Sequence, residues 1–237
     1  KGLYKSLKIP NELILKIIKK GIPLLVIELL WSFGMTTLNQ IFSTRGLNVV
    51  AALNINSTIT NLFNVVVFSM GAAVSVMVGQ ALGANDFSRA KQTAWRLMFF
   101  NVCICIVTSI LLAALSPVIP YVYKTTSDVR MLATRFIQAH SIFLIFNAII
   151  HCSYFTIRSG GKMLIIFLFD SVYTWLVSIP FAFILTHFTT LDISILYPIC
   201  FLADIIKCII GIIFVKSGRW VQNIVSNTAS NVEPSTQ

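Results

Sequence analysis

Eight acidic, amide or imidazole side chains lie inside long apolar stretches of the sequence, and we predict that they bind a cation or a substrate. These residues are Glu28, Asn39, Asn54, Asn61, Asn147, His151, Asp170 and Asp204. Such a side chain loses its hydrogen bonds to water in an apolar environment, so it has to face other protein groups or a hydrated cavity. Ionisable groups in such stretches are typical of proton relays and ion pathways.

Glu28 is the acidic candidate of the first apolar stretch. It shares one helical face with Ser32, Met35, Asn39 and Ser43, and no basic residue lies within a helical turn of it. An isolated carboxylic acid is expected to stay protonated there, because an apolar environment disfavours the charged form. We therefore predict a proton or cation carrier. The alternative is a neutral glutamic acid that only forms hydrogen bonds within the core.

The second apolar stretch has a polar face. The residues with the spacing of one helical face are Asn54, Ser57, Thr58, Asn61, Asn64, Gly71, Ala72, Ser75 and Gly79. Amide groups on such a stripe cannot face lipid without losing hydrogen bonds. The small residues at four-residue spacing are typical of close helix packing. We predict a cavity beside the asparagines and helix contacts beside the glycines.

Three further members of the set lie in later apolar stretches. His151, in the fourth apolar stretch, is predicted either to titrate or to be a neutral, hydrogen-bonded core residue. Asp170 precedes Pro180, which is expected to bend the fifth stretch because proline cannot donate the helical hydrogen bond. Asp204 and Lys207 are three residues apart on one helical face, so we predict that they form a structural ion pair.

No pattern typical of an enzyme or a metal centre is present in the sequence. The five cysteines lie in apolar stretches without a CxxC spacing, so we interpret them as core residues that form neither disulfides nor metal sites. HExxH and GxSxG motifs are absent, which argues against an intramembrane enzyme. A purely structural membrane protein would not need acidic and amide groups inside its spans.

The composition requires that membrane-spanning helices position these residues. Hydrophobic residues make up 57% of the 237 residues and charged residues only 11%. Residues 46–85, 97–123 and 136–157 contain no Asp, Glu, Lys or Arg, and each run can cross a hydrocarbon layer of about 30 Å as a helix. Soluble enzymes, nucleic-acid-binding proteins and secreted disulfide-rich domains are excluded. The predicted fold is an all-α membrane protein.

Hydropathy and turn signals predict six spans, which form one transmembrane lobe over residues 21–216. The spans are residues 21–44, 50–82, 96–122, 131–157, 163–188 and 193–215. Thirteen Lys and Arg residues flank the spans on one side and four on the other, so the positive-inside rule places both ends of the chain in the cytoplasm. A multi-pass protein of the cell membrane is predicted. Its net charge of +10 is assigned to contact with anionic lipid rather than with nucleic acid.

The segments outside the lobe are more polar. Residues 1–20 have an amphipathic pattern, and we predict a cytoplasmic linker helix that lies along the inner leaflet and turns into the membrane at Gly21 and Pro23. Residues 217–237 are rich in Ser, Asn and Thr and are predicted to form a disordered cytoplasmic tail. Because the first residue is Lys1 and no signal peptide is present, we expect a fragment or a trimmed chain.

The second span and the loop after it contain short motifs rich in Gly and Ala. They are Met70-Gly71-Ala72-Ala73-Val74-Ser75, Val78-Gly79-Gln80-Ala81-Leu82-Gly83-Ala84-Asn85 and Ala90-Lys91. These motifs, with Gly21-Ile22-Pro23 and the six-span layout, closely resemble the multidrug and toxic compound extrusion (MATE) family over residues 21–219. The resemblance implies the C-terminal six-helix lobe, which is half of a twelve-helix, pseudo-symmetric transporter. It also implies an N-terminal six-helix lobe as partner, in the same chain or in a second subunit.

By this resemblance, the protein is expected to be a secondary active antiporter that exports organic cations or drugs in exchange for H+ or Na+, and to need no other cofactor. Two acidic positions of the family differ in this sequence. Trp31 stands where many members have a glutamate, and Glu28 lies one turn earlier. Asn147 stands where some cation-coupled members have an aspartate.

The resemblance and the polar faces together predict one binding region. Glu28, with Asn39, Asn54 and Asn61, is expected to bind the coupling ion or the drug in the cavity of the lobe. The alternative function is a lipid-linked oligosaccharide flippase of the same wider superfamily. Such a protein is expected to have more basic cavity residues, whereas Lys207 is the one Lys or Arg deep within a span of this sequence.

Overall fold

The computed structural model describes residues 11–222, and all regular elements in this range are helical. The first four helices are α1 (Asn11–Ser43), α2 (Leu47–Gly83), α3 (Phe87–Leu115) and α4 (Ser127–Ser159), with a short 3₁₀ helix at Ile119–Val122 before α4. The fifth span comprises α5 (Met163–Phe167), two π-helical segments (Leu168–Val172 and Thr174–Ser178) and α6 (Ile179–Phe188). The sixth span comprises α7 (Ile193–Cys200) and α8 (Leu202–Ser217).

Six helical stretches in residues 11–222 are long and apolar enough to cross a membrane, which confirms the predicted fold class. The largest boundary difference is in the third span, which was predicted over residues 96–122. There α3 begins at Phe87 and ends at Leu115. The early start has a local cause, because the Asp86 side chain accepts a hydrogen bond from the Arg89 backbone N–H (2.9 Å) and so caps the helix.

α1 is one continuous helix through Gly21 and Pro23, so the predicted turn at these two residues does not occur. A proline inside a helix removes only one backbone hydrogen bond, and the 33-residue helix continues on both sides of it. The first ten residues of the predicted linker helix lie outside the described part of the chain.

α4 is the central helix of the bundle and the most buried of the six spans. It packs against α2, α3, α7 and α8. Small residues on its surface, such as Ala133, Ala148 and Ser153, have no exposed area, which lets neighbouring helices approach closely. The groups that α4 carries are therefore surrounded by most of the other helices.

The glycine end of α2 forms part of this packing, as predicted, at Gly71. A Cβ atom at Gly71 would overlap the ring of Phe155 in α4, so the contact depends on glycine. The Ser159 hydroxyl also donates to the backbone carbonyl of Ser75 (3.5 Å). At Gly79, in contrast, an added Cβ would have no neighbour within 4 Å in residues 11–222.

The fifth span departs from α-helical geometry immediately before Pro180. Proline has no N–H to donate, and its ring crowds the carbonyl of the preceding turn. Two π-helical segments of five residues each precede Pro180, and such wider turns often accompany functional positions. The predicted irregularity at Pro180 thus lies on its N-terminal side, where Asp170 and Thr174 are located.

The chain folds back onto the bundle after α8. Trp220 is buried, and its indole Nε1 donates to the Val215 carbonyl (3.0 Å). The Gln222 amide donates to the Gly160 carbonyl (2.6 Å). The prediction of disorder from residue 217 onward therefore does not hold for residues 217–222, because one large apolar side chain anchors them. Residues 223–237 lie outside the described part of the chain.

Replacing Gly160 with alanine is expected to lower the free energy of unfolding by about 1–3 kcal/mol. The added methyl group would overlap the backbone carbonyl of Trp220, which cannot rotate away as a side chain can. Unfolding of the purified protein in detergent measures the change. Gly21→Ala is the matched control, because no atom within residues 11–222 would contact its methyl group. Equal stability of the two variants would contradict the packing of residues 218–222.

Candidate functional site

A cavity of about 500 Å³ lies between the helices and brings together most of the predicted site residues. Its wall includes seven of the eight, namely Glu28, Asn39, Asn61, Asn147, His151, Asp170 and Asp204. They come from α1, α2, α4, the first π-helical segment and α8. Such a volume is typical of small-molecule sites, and a wall of several helices is a common way to build one.

Glu28 is held by two side chains of α4. Its Oε1 accepts a hydrogen bond from the Tyr154 hydroxyl (2.8 Å) and from Nη1 of Arg158 (3.3 Å), which also forms an ion pair with it. The expectation that Glu28 is isolated from basic groups is therefore corrected, because Arg158, from a helix distant in the sequence, reaches it. The Glu28 side chain remains half exposed (51%), so it still faces the cavity.

Asp170 and Lys207 form the second ion pair of the wall. The Lys207 ammonium donates to Asp170 Oδ1 at 2.6 Å, and both residues are buried. The predicted pair between Lys207 and Asp204 is therefore corrected. Residues three apart share a helical face, but the Lys207 side chain instead reaches across to the fifth span, where it also lies 5.5 Å from the ring centroid of Phe169.

Asp204 lines the cavity without an ion pair in the described part of the chain. Of the three carboxylates in the wall, it is thus the one whose charge is not matched by a contacting basic group from residues 11–222. It lies one turn before Lys207 on α8, and the Tyr173 hydroxyl donates to the neighbouring Ala203 carbonyl (2.6 Å). Asp204 is therefore available to a cation in the cavity.

Asn54 is the predicted site residue that the cavity wall does not include. Its side chain is exposed, and its backbone carbonyl accepts from the Thr58 hydroxyl (2.8 Å). Asn56 lines the cavity instead, and its Nδ2 donates to the Tyr197 hydroxyl (3.0 Å). Sequence reasoning missed Asn56, although its spacing to Thr60 is that of one helical face and would have indicated it.

The two cavity histidines lie against aromatic rings. His151 forms an edge-to-face contact with Phe68 at a centroid distance of 5.0 Å. His140 is in contact with Phe201 at 6.1 Å, and its Nε2 is buried without a hydrogen-bond partner in residues 11–222. Sequence reasoning did not include His140 among the binding residues.

Aromatic side chains supply flat surfaces beside the polar groups. Trp31 and Tyr154 line the cavity, together with Phe42, Tyr197 and Phe201. Tyr197 is central to this group, because its ring lies 5.4 Å from that of Phe42 and 5.0 Å from that of Phe201. Such rings can stack on a flat organic molecule and attract a positive charge on it.

The charged groups give the cavity a net negative character. Three carboxylates in the wall, Glu28, Asp170 and Asp204, are opposed by Lys207 in the wall and by Arg158 next to Glu28. A low-dielectric surrounding strengthens this field, so the cavity is suited to bind a cation. Residues 11–222 contain no group of three or more His, Cys, Asp or Glu side chains arranged to hold a metal ion.

The chain is similar in sequence to proteins that are named for multidrug resistance or for multidrug and toxin extrusion. The MatE family model matches residues 23–184. The probable multidrug resistance protein YoeA of Bacillus subtilis is 28% identical over 211 residues, which are 87% of this chain and 45% of that protein. The human multidrug and toxin extrusion protein 1 is 24% identical over 145 residues, which are 57% of this chain and 25% of that protein.

A solved structure has the same fold. An outward-facing multidrug resistance MATE family transporter superposes with a TM-score of 0.78 at 19% identity, over 90% of this chain and 48% of that one. This chain therefore spans about half the length of the Bacillus subtilis relative and of this solved transporter. Because the family model covers more than half of its residues, the chain belongs to the MATE family of membrane transporters, of which it forms a six-helix half, and it is not an enzyme.

Proposed function

We propose that this chain is the C-terminal lobe of a secondary active antiporter, which exports organic cations or drugs in exchange for H+ or Na+ moving inward. The observation that carries the proposal is the cavity of about 500 Å³ with carboxylates from three different spans in its wall. The names of the relatives, multidrug resistance protein and multidrug and toxin extrusion protein, support the same function. The protein would lie in the cell membrane with both ends of this segment in the cytoplasm, and a second lobe would complete the pathway.

The charges in the wall support a cationic cargo. Asp204 has no contacting basic group in residues 11–222, and Glu28 remains half exposed beside Arg158. A bound organic cation would place its charge near these carboxylates and its rings against Trp31 and Tyr154. Both interactions are stronger in a cavity with little water than in bulk solvent.

The contacts of Glu28 and Asp170 favour H+ as the coupling ion. Glu28 contacts Arg158 and Asp170 contacts Lys207, and each basic group would repel a metal cation that approached its partner. A proton, in contrast, binds to a single carboxylate oxygen. Protonation would make Glu28 neutral, so that it no longer attracts Arg158 or a cationic drug. Proton entry and drug release are then linked through the same atom.

The contact of Glu28 with Tyr154 and Arg158 joins two helices, and it would therefore link protonation of Glu28 to movement of these helices. Glu28 belongs to α1, whereas Tyr154 and Arg158 belong to α4. Loss of the ion pair on protonation would loosen these helices at one end of the cavity. The π-helical turns before Pro180 give the fifth span a deformable region, and rocking of one lobe against the other would use both features.

Drug-dependent ion flux tests this proposal. The protein, in the form in which the cell makes it, is reconstituted in vesicles that contain a pH-sensitive dye, and ethidium is added as a flat organic cation. We expect ethidium to drive proton movement in the opposite direction, with the same rate when Na+ is replaced by K+. Ethidium-dependent Na+ flux without proton movement would establish Na+ coupling instead. The absence of both fluxes would contradict the exporter.

A further inference from the structure

Two buried polar atoms in side chains of the cavity wall have no hydrogen-bond partner within residues 11–222. They are Oδ1 of Asn56 in α2 and Nε2 of His140 in α4. Both side chains line the cavity, and the two residues are only 4% and 8% exposed. A buried polar atom without a partner costs free energy, which a complementary ligand group would recover. The two atoms therefore point to a ligand.

The ring of Phe201 contacts His140 directly and Asn56 through the ring of Tyr197. The Phe201 ring lies 6.1 Å from the ring of His140 and 5.0 Å from the ring of Tyr197, to which Asn56 donates its hydrogen bond. Phe201 is located between α7 and α8, where the helix is interrupted after Pro198. Its ring lines the cavity and stacks on the ring of Phe143 at a centroid distance of 5.0 Å.

A carboxyl group without an ion pair in residues 11–222 lies at this place. Asp204 lies three residues after Phe201, lines the same cavity and has no ion pair in the described part of the chain. Lys207, one turn further along α8, forms its ion pair with Asp170 and not with Asp204. A ligand that reaches Asn56 and His140 would thus find a carboxylate nearby.

These groups are separate from the Glu28 contact. Glu28 lies near the beginning of the first span and Arg158 near the end of the fourth, which places them toward one membrane face. Asn56 and Tyr197 lie near the beginnings of the second and sixth spans, which places them toward the opposite face. The cavity therefore has two chemically different ends.

We propose that Asn56, His140 and Asp204 form a subsite, beside the ring of Phe201, for the nitrogen group of a flat aromatic cation that carries N–H donors. The Asn56 oxygen and the Asp204 carboxylate accept hydrogen bonds from the ligand, and so does His140 Nε2 in the tautomer with hydrogen on Nδ1. The ligand ring stacks on Phe201. The inference rests on the proposed export of organic cations and names the class of compound that is bound best.

Equilibrium binding of two probes to the purified protein, in the form in which the cell makes it, tests the subsite. Proflavine is a flat cation with amino groups, and tetraphenylphosphonium is a cation without an N–H donor. Asn56→Leu and His140→Phe are each expected to raise the Kd of proflavine about tenfold, the effect of losing a hydrogen bond to a charged ligand. The Kd of tetraphenylphosphonium is expected to change less than about twofold, because it makes no such bond.

Matched controls separate the subsite from general effects. Asn48→Leu and His187→Phe make the same chemical changes at exposed positions outside the cavity wall, and neither should change the Kd of proflavine. The Tm of His140→Phe should stay equal or rise, because the substitution removes a buried polar atom without a partner. This variant keeps the test valid if Asn56→Leu fails to fold.

The outcomes distinguish the subsite from the export function. An unchanged Kd of proflavine in the His140→Phe variant, or an equal rise for both probes, would overturn the subsite. Selective loss of proflavine binding would establish it. If the unaltered protein binds proflavine but vesicles show no proflavine transport, the proposed export function fails while the subsite stands.

Discussion

Replacing Lys207 with methionine is expected to lower the free energy of unfolding by about 3–5 kcal/mol, because it leaves the buried Asp170 without its cation. The ammonium and the carboxylate are 2.6 Å apart, and their side chains are only 9% and 12% exposed. Methionine fills a similar volume, so the effect would report the lost charge rather than a cavity. Unfolding of the purified protein in mixed detergent micelles measures the change.

The double variant Lys207→Met with Asp170→Leu is the decisive comparison. It removes both charges, so most of the stability is expected to return, and the two single effects should not add. Lys124→Met is the matched control, because Lys124 is exposed and its replacement should change stability by less than about 0.5 kcal/mol. A double variant as unstable as Lys207→Met alone would show that the unpaired charge of Asp170 does not explain the loss of stability.

Replacing Glu28 with glutamine is expected to reduce drug export to the background of vesicles without protein, while the amount of folded protein is preserved. Glutamine has nearly the same shape and can still accept from Tyr154, but it cannot take up a proton or pair with Arg158. The half-exposed ion pair contributes at most about 1 kcal/mol, so folding should continue. Export of ethidium by inside-out vesicles measures the effect.

Asp128→Asn is the matched control for this experiment. Asp128 is an exposed acid in the first turn of α4 and does not line the cavity, so its amide variant should export ethidium at the normal rate. Full export by the Glu28→Gln variant would remove Glu28 from the mechanism. Loss of folded protein in that variant alone would instead assign Glu28 a role in stability.

The side-chain contacts that sequence reasoning missed or assigned wrongly all join residues that are far apart along the chain. Tyr154 and Arg158 are 126 and 130 residues from Glu28, and Lys207 is 37 residues from Asp170. Helical periodicity relates residues within a few turns, so it paired Lys207 with Asp204 and left Glu28 isolated. The rotation of α2 against α7 likewise decided that Asn56, rather than Asn54, contacts Tyr197.

By itself, the sequence determined the six apolar spans, the family motifs and eight site residues, of which seven line the cavity. Each depends on local composition, because hydrocarbon excludes charged and amide groups wherever they lie along a helix. Only the tertiary structure decided the ion pairs, the hydrogen bonds of Asn56 and the burial of Trp220. These contacts depend on how helices rotate and approach one another, which packing over the whole bundle sets.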